Sequence, residues 1–188
     1  MKSRLVVLSI LFFPALADAN NSEPRLIFHS GRQLTSVVGI SAHFVPAYNL
    51  AEKLTPLAYL SLDVLATTWL TISPTVGWSF NSDEVIASVR LTPKYKRFHA
   101  WIDFEVQPQS WSSYWFAEFE IKTLEWLHFG VEEESWGNIT DVTAMTHGAG
   151  VNMLLRPSPQ FGVDVAVQVR RERDEYNPVL CLRAHLFL

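Results

Sequence analysis

Apolar and polar residues alternate with a period of two along most of this chain. The segment FHAWIDFEVQ, residues 98–107, is apolar at every even position and polar at every odd position except Trp101. Because successive side chains of a β-strand point to opposite faces, this period predicts strands with one apolar face and one polar face. Ten segments follow it: 36–45, 57–66, 69–80, 84–91, 98–107, 114–122, 126–134, 143–155, 161–172 and 179–188.

These segments are close in length to the roughly 9–11 residues that a tilted, membrane-crossing strand requires. The predicted fold is therefore all-β, a closed, antiparallel, up-and-down transmembrane β-barrel of about ten strands. Pro74 has no N–H to donate to a sheet and predicts a bulge or turn there, so eight or twelve strands also fit the pattern. Residues 48–54 are the one candidate for a helix.

Alternation alone does not say which face of the barrel meets water. A soluble lipocalin-like barrel, or an exported β-sandwich, has the same period with the apolar face inward. Here the polar face is rich in small residues, such as Gly39, Gly130 and Gly150, which suit the crowded inside of a narrow barrel. The apolar rows, among them Val163, Val165 and Val167, are therefore predicted to face lipid.

Aromatic residues of the apolar face fall near the ends of the predicted strands. Trp78, Phe80 and Trp115 lie towards one rim, whereas Phe98 and Phe161 lie towards the other. Two such girdles are typical of a barrel embedded in lipid. The predicted connections 92–97, 123–125 and 156–160 are short, and those on the opposite side, 46–56, 108–113 and 135–142, are longer on the whole, as in outer-membrane barrels. Trp111 and Trp136 in the longer loops are candidates for anchoring at the interface or for contact with a ligand.

The first 19 residues have the three parts of a secretory signal peptide: a basic start, an apolar run and the small-residue site Ala17-Asp18-Ala19. The barrel domain is then predicted to occupy residues 20–188. The single cysteine, Cys181, excludes an internal disulfide framework. A net charge of −4 supplies no basic footprint for nucleic acid, which we exclude as a partner.

An export leader, alternating strands and the terminal segment VLCLRAHLFL together resemble the small bacterial outer-membrane β-barrels. The resemblance implies a location in the outer membrane of a Gram-negative bacterium, with membrane lipid and the barrel assembly machinery as partners. It implies a structural, surface-interaction or porin-like solute-passage role, with any solute or surface ligand unidentified. The terminal aromatic signal of this class is imperfect here, because Phe187 is penultimate and Leu188 is last.

The polar face carries many charged residues, which we expect to form a network inside the barrel. Buried charges need partners, so the bland interpretation is a set of ion pairs that plugs the lumen. Functional alternatives are a charged path for small solutes or a divalent-cation site. The predicted network consists of Arg90, Asp103, Glu105, Glu118, Glu120, Lys122, Glu132, Asp164, Arg170 and Arg183.

Ser41 and His43 share one face of a predicted strand and form a candidate nucleophile and base for a lipid-modifying hydrolase. A polar lumen explains both residues equally well, so the expectation leans away from an enzyme. His99, His128 and His185 also face inward, whereas His147 falls on the apolar face unless a bulge near Gly148 corrects it. Since His43 and His185 are predicted to lie at opposite ends of the barrel, no shared metal is expected, and no cofactor is predicted.

Overall fold

The computed structural model describes residues 22–49, 52–172 and 175–188. The proposed leader, residues 1–19, lies outside them. No helix of the described residues is long and apolar enough to cross a membrane. The elements are β1 (Ser22–Gln33), β2 (Val38–Asn49), β3 (Glu52–Thr67), β4 (Leu70–Ser79), β5 (Glu84–Tyr95), β6 (Phe98–Gln107), β7 (Ser112–Leu124), β8 (Leu127–Asn138), a short 3-10 turn (Val142–Ala144), β9 (Thr146–Ser158), β10 (Phe161–Glu172) and β11 (Glu175–Phe187).

The strands form one closed barrel in which each strand pairs with its sequence neighbours. The predicted all-β barrel is confirmed, with eleven strands in the described residues rather than ten. All neighbouring pairs are antiparallel except β1 and β11, which pair in parallel from Ser22 opposite Leu180 to His29 opposite Phe187. An odd number of strands requires this, because the first and last strands then run in the same direction. Ser22, at the start of β1, and Leu188, the last residue, therefore lie towards opposite rims.

Apolar side chains form the outer face of the barrel, and charged side chains fill its interior. Leu60, Ile121 and Val167 are more than half exposed, whereas Glu134 and Gln168 are completely buried. Along β6, the predicted orientation holds, since Phe104 is exposed and its neighbours Asp103 and Glu105 are buried. An interior of this kind is the reverse of a soluble barrel, whose core is apolar.

Exposed aromatic residues form a ring at each end of the barrel. At the rim of the tight turns, Tyr95 and Trp126 accompany Phe98. At the opposite rim, Trp111 joins the predicted Trp78, Phe80 and Trp115. The predicted loop aromatic Trp136 is not exposed, because it lies in β8 with the guanidinium carbon of Arg170 at 4.5 Å from its ring centroid.

Several predicted boundaries are wrong, because the strands extend further than the alternation suggested. Pro46 and Pro56, expected to bound a loop, lie opposite each other in β2 and β3. Residues 48, 49 and 52–54 of the candidate helix are strand, and residues 50 and 51 lie outside the described part. Pro74 causes no shift of register, since it sits within β4 on the outer face opposite Val89. Among the connections whose residues are all described, the longest is 139–145, between β8 and β9.

Candidate functional site

The interior of the barrel contains a cavity of roughly 570 Å³. Its lining runs from Ser112 and Gly137, at the rim of the longer connections, to His29 and His185 deeper in the barrel. Both the walls and the base carry side chains that can ionise or donate hydrogen bonds. The cavity is therefore the polar counterpart of the apolar outer surface, and five of the ten residues of the predicted charge network line it: Arg90, Asp103, Glu105, Glu118 and Arg183.

One group of contacts crosses the full width of the interior. Nη1 of Arg25, in β1, lies 2.6 Å from Oε1 of Glu134, in β8, and the Tyr114 hydroxyl, in β7, donates to the same carboxylate at 2.7 Å. Going around the barrel, β8 is four steps from β1 by way of β11, β10 and β9, and β7 is five steps away. Side chains from strands this far apart meet only by spanning the lumen.

A second group centres on Arg183, in β11. Its guanidinium makes two hydrogen bonds to Glu132, at 2.7 and 2.8 Å, and also contacts the Asp164 carboxylate. Gln168 donates to Glu132 at 2.5 Å. All of these residues are buried, so the paired carboxylate and guanidinium charges compensate for the loss of water.

Arg170 extends the same network towards the first strand. Its guanidinium binds both oxygens of Glu23, at 2.5 and 3.1 Å, and comes within 3.6 Å of Glu134. Glu23 lies opposite Cys181 in the parallel pair of β1 and β11. These contacts tie the closing strand to β10 as well as to β8.

A third group lies on the opposite wall, around Arg90 of β5. Arg90 donates two hydrogen bonds to one Asp103 oxygen, at 2.9 and 2.7 Å, and its charged group lies 4.2 Å from the ring centroid of Trp101. The Tyr59 hydroxyl donates to the buried Glu105 at 3.0 Å. Trp101 thus faces the lumen as a partner of Arg90, which explains the one apolar residue on the polar side of β6.

Three histidines form a hydrogen-bonded chain at the base of the cavity. Nδ1 of His29 lies 2.8 Å from Nδ1 of His43, and Nε2 of His29 lies 3.0 Å from Nδ1 of His185. The expectation that His43 and His185 lie far apart is therefore wrong, because the unpredicted strand β1 places His29 between them. Nε2 of His43 is in turn 2.7 Å from Nη1 of Arg90.

Two further residues of the predicted network, Glu120 and Lys122, lie towards the rim of the tight turns. Glu120 contacts His128 at 3.1 Å and His99 at 3.5 Å. Lys122 lies apart from the other charges, since its Nζ binds Glu125 in the exposed turn after β7 at 2.5 Å. The Glu125 pKa is lowered by the hydrogen bond and charge of Lys122.

Side chains that could hold a cation converge at two points in the described residues. One is formed by Glu23, Glu134 and Cys181, where Arg25 and Arg170 already pair with the two carboxylates. The other consists of three carboxylates. Single oxygens of Glu118, Glu132 and Asp164 lie within 4.8 Å of one another. Arg183 already supplies a positive charge to Glu132 and Asp164, and Asn152 donates to Glu118. The arrangement is accounted for by ion pairs within the chain.

The structure does not join Ser41 to His43. Both face the interior, on the inward row of β2, but His43 contacts His29 and Arg90, and no hydrogen bond links the two side chains within the described residues. The imidazole is thus engaged by His29 and Arg90 rather than by Ser41.

A different serine and histidine meet on the outer face of the barrel. Oγ of Ser135, in β8, lies 2.8 Å from Nδ1 of His147, in β9, and the same hydroxyl donates to Glu133. The β8–β9 register continues without a bulge, so the expected correction near Gly148 is absent and His147 stays on the outer face. His147 is exposed, Glu133 is half-buried, and Ser135 is 4% exposed.

Sequence reasoning missed the residues of β1 and the Ser135–His147 pair for different reasons. In β1, the outward positions Ser30 and Arg32 are polar and the inward position Ile27 is apolar, so the strand has no clean alternation. For the outer pair, a signal was present: Glu133, Ser135 and His147 are polar residues on otherwise apolar rows. No local pattern, however, places Ser135 opposite His147.

The chain matches no protein-family model, and no curated protein matches it.

Proposed function

We propose that the chain is a bacterial outer-membrane β-barrel with a structural role, whose lumen is closed to the passage of solutes. The observation that carries the proposal is the sidedness of the closed sheet. Val76, Ile121 and Val167 lie on its outer face and are more than half exposed, whereas Glu134 and Asp164 are buried inside. In water, such a surface would lead to aggregation, whereas in hydrocarbon it is the expected exterior of a membrane barrel.

The rings of aromatic residues at both rims support the same location. Trp and Tyr side chains favour the boundary between hydrocarbon and headgroups, where one part of the ring is dry and the polar tip is wet. Trp126 and Tyr95 lie at one rim, and Trp111 and Trp78 lie at the other. The apolar band between them is bounded on both sides, as a lipid bilayer requires. Membrane lipid and the barrel assembly machinery are the partners that this location implies.

The contacts across the lumen favour a closed interior. Arg25 with Glu134, and Arg25 with Tyr114, connect strands on opposite sides of the barrel. Arg183 with Glu132 connects strands three steps apart. Each of these pairs occupies space that a permeating solute would need, and separating them would leave buried charges without partners. The cavity is then a pocket that opens towards one rim.

Cell fractionation combined with heat-modifiable gel mobility tests the membrane location. We expect the protein in the outer-membrane fraction, with a folded band that migrates faster than the band of the boiled sample. Recovery of folded protein in buffer without detergent would contradict the proposal and favour a soluble ligand-binding barrel.

Conductance measurements in planar lipid bilayers test the closed lumen. We expect the folded protein to add no conductance above that of the protein-free bilayer. Steady conductance steps that change when Glu118→Gln and Glu120→Gln are introduced would replace the closed lumen with a narrow solute path, while leaving the membrane location intact.

A further inference from the structure

We propose that Ser135 and His147 form a hydrolytic site on the outer face of the barrel, which cleaves acyl esters of membrane lipids. The inference rests on the proposed membrane location, because the outer face meets lipid only if the barrel is embedded. Ser135 is the nucleophile and His147 is the general base. The substrate class is a lipid whose acyl chain is attached through an oxygen ester.

The pair brings a hydroxyl oxygen within reach of an imidazole nitrogen. The Ser135 hydroxyl donates to Glu133, and Nδ1 of His147 lies 2.8 Å from the same oxygen, within the range in which a base takes the proton once the hydroxyl rotates towards it. The two residues are directly opposite each other on β8 and β9, so the sheet backbone fixes their separation. A serine and a histidine are costly to place against hydrocarbon, which makes a paired occurrence there a feature that stability alone does not explain.

The depth of the pair matches the depth of lipid esters. Ser135 lies three residues before the end of β8, at Asn138, which corresponds to about 10 Å along the strand. Trp115, a residue of the aromatic ring at this rim, lies opposite Ser135 on β7. Such aromatic rings mark the boundary between acyl chains and headgroups, where the ester bonds of lipids lie.

The surroundings of the pair suit an acyl chain. Towards the middle of the barrel, the outer rows consist of the apolar residues Val131 and Val151, both exposed, which can lie along such a chain. On the other side of His147, Arg171 of β10 lies opposite it on the outer face.

The proposed reaction has two balanced steps. First, Oγ of Ser135 attacks the ester carbonyl carbon while His147 accepts the hydroxyl proton; the carbon–oxygen ester bond then breaks, and the leaving alcohol takes that proton. Second, water attacks the acyl-serine while His147 accepts a proton from it and returns the proton to Ser135. The products are a free fatty acid and the deacylated lipid, and no cofactor is consumed.

Glu133 is a positioning residue in this arrangement. Its carboxylate accepts the hydrogen bond of Ser135 in the resting site and so holds the Oγ atom in place beside Nδ1 of His147. Glu133→Gln should lower kcat with little change in KM, because the carboxylate contacts the nucleophile and not the lipid.

The test measures fatty-acid release by the folded, full-length protein. Three substrates are supplied in separate arms: p-nitrophenyl laurate in detergent micelles, phosphatidylethanolamine vesicles and purified lipopolysaccharide. The last two arms distinguish a phospholipid ester from a lipopolysaccharide ester. We expect release in at least one lipid arm. Ser135→Ala should reduce it to the protein-free rate, and His147→Gln should lower it by about 10²–10⁴-fold, the usual contribution of a general base.

A serine-reactive fluorophosphonate gives an independent readout, and we expect mass spectrometry to locate its adduct on Ser135. The control is Ser30→Ala, since Ser30 also lies on the outer face, where it is exposed whereas Ser135 is buried, and it pairs with Ala42 rather than with a histidine. Heat-modifiable mobility must be retained by every variant compared. Absence of fatty-acid release in all arms, or release that survives Ser135→Ala, would overturn the hydrolytic site and leave the membrane location untouched.

Discussion

Arg25 in β1 and Glu134 in β8 contact each other across the whole interior of the barrel, with 2.6 Å between Nη1 and Oε1. Replacing Arg25 with methionine keeps most of the side-chain volume but leaves the buried Glu134 with less compensating charge. We expect the free energy of unfolding to fall by about 3 kcal/mol, the lower end for breaking a buried ion pair, because Tyr114 still donates to Glu134. Denaturant titration of the protein folded into lipid vesicles measures this change.

Arg32→Met is the matched control for that experiment. Arg32 belongs to the same strand but is exposed, so its replacement should change the free energy of unfolding by less than about 0.5 kcal/mol. Equal losses in both variants would mean that the contact across the lumen does not stabilise the barrel.

Val167, exposed near the middle of β10, tests whether the apolar rows meet hydrocarbon. Val167→Arg should cost about 2–4 kcal/mol in vesicles, the cost of an arginine near the bilayer midplane. Val142→Arg, in the exposed connection between β8 and β9, should cost nothing measurable. A Val167→Arg variant as stable as the parent protein would place that row in water.

Gly150 tests how closely the inner face of the sheet is packed. A Cβ atom added there would overlap the carbonyl oxygen of Val167, which belongs to the backbone of the next strand and cannot move aside alone. We expect Gly150→Ala to cost about 3 kcal/mol and to lower the yield of the fast-migrating folded band. Gly31→Ala is the comparison, since its Cβ would meet no atom closer than 3.5 Å and should be tolerated.

Lys122 and Glu125 form an ion pair in the exposed turn between β7 and β8. The hydrogen bond from Lys122 holds the Glu125 pKa below its ordinary value of 4.5. Lys122→Met should therefore raise the Glu125 pKa towards that value, as measured by NMR titration of the carboxyl group. A carboxyl group whose pKa is lowered by folding stabilises the folded state only when the pH is above that lowered pKa. Any loss of folding stability in Lys122→Met would therefore appear at neutral pH and disappear in acid. An unchanged Glu125 pKa would contradict the pairing.

The sidedness of most strands was predictable because each residue's face follows from its own position in the alternation. Asp103 and Glu105 point inward and Phe104 outward, as their parity requires. The extra strand was not predictable in this way. Ser30 and Arg32 interrupt its outer row, and its parallel pairing with β11 joins residues about 160 positions apart, which no local pattern encodes.

The candidate sites show the same division between local and long-range information. The pattern identified which charged residues face inward, but not that Arg25 and Glu134 span the lumen. It placed His147 on the outer face, where a bulge near Gly148 would be needed to turn the side chain inward. The register of β8 and β9 has no bulge, so His147 stays on the outer face directly opposite Ser135. This contact depends on strand pairing and not on any local pattern.

The parallel seam between β1 and β11 has a practical consequence for studying orientation. In an embedded barrel, a short epitope placed ahead of Ser22 and another attached after Leu188 would emerge on opposite sides of the bilayer. On intact cells, an impermeant antibody would reach one tag and not the other. Such dual tagging would read the direction of insertion from one doubly tagged protein, a measurement that barrels with an even number of strands do not permit.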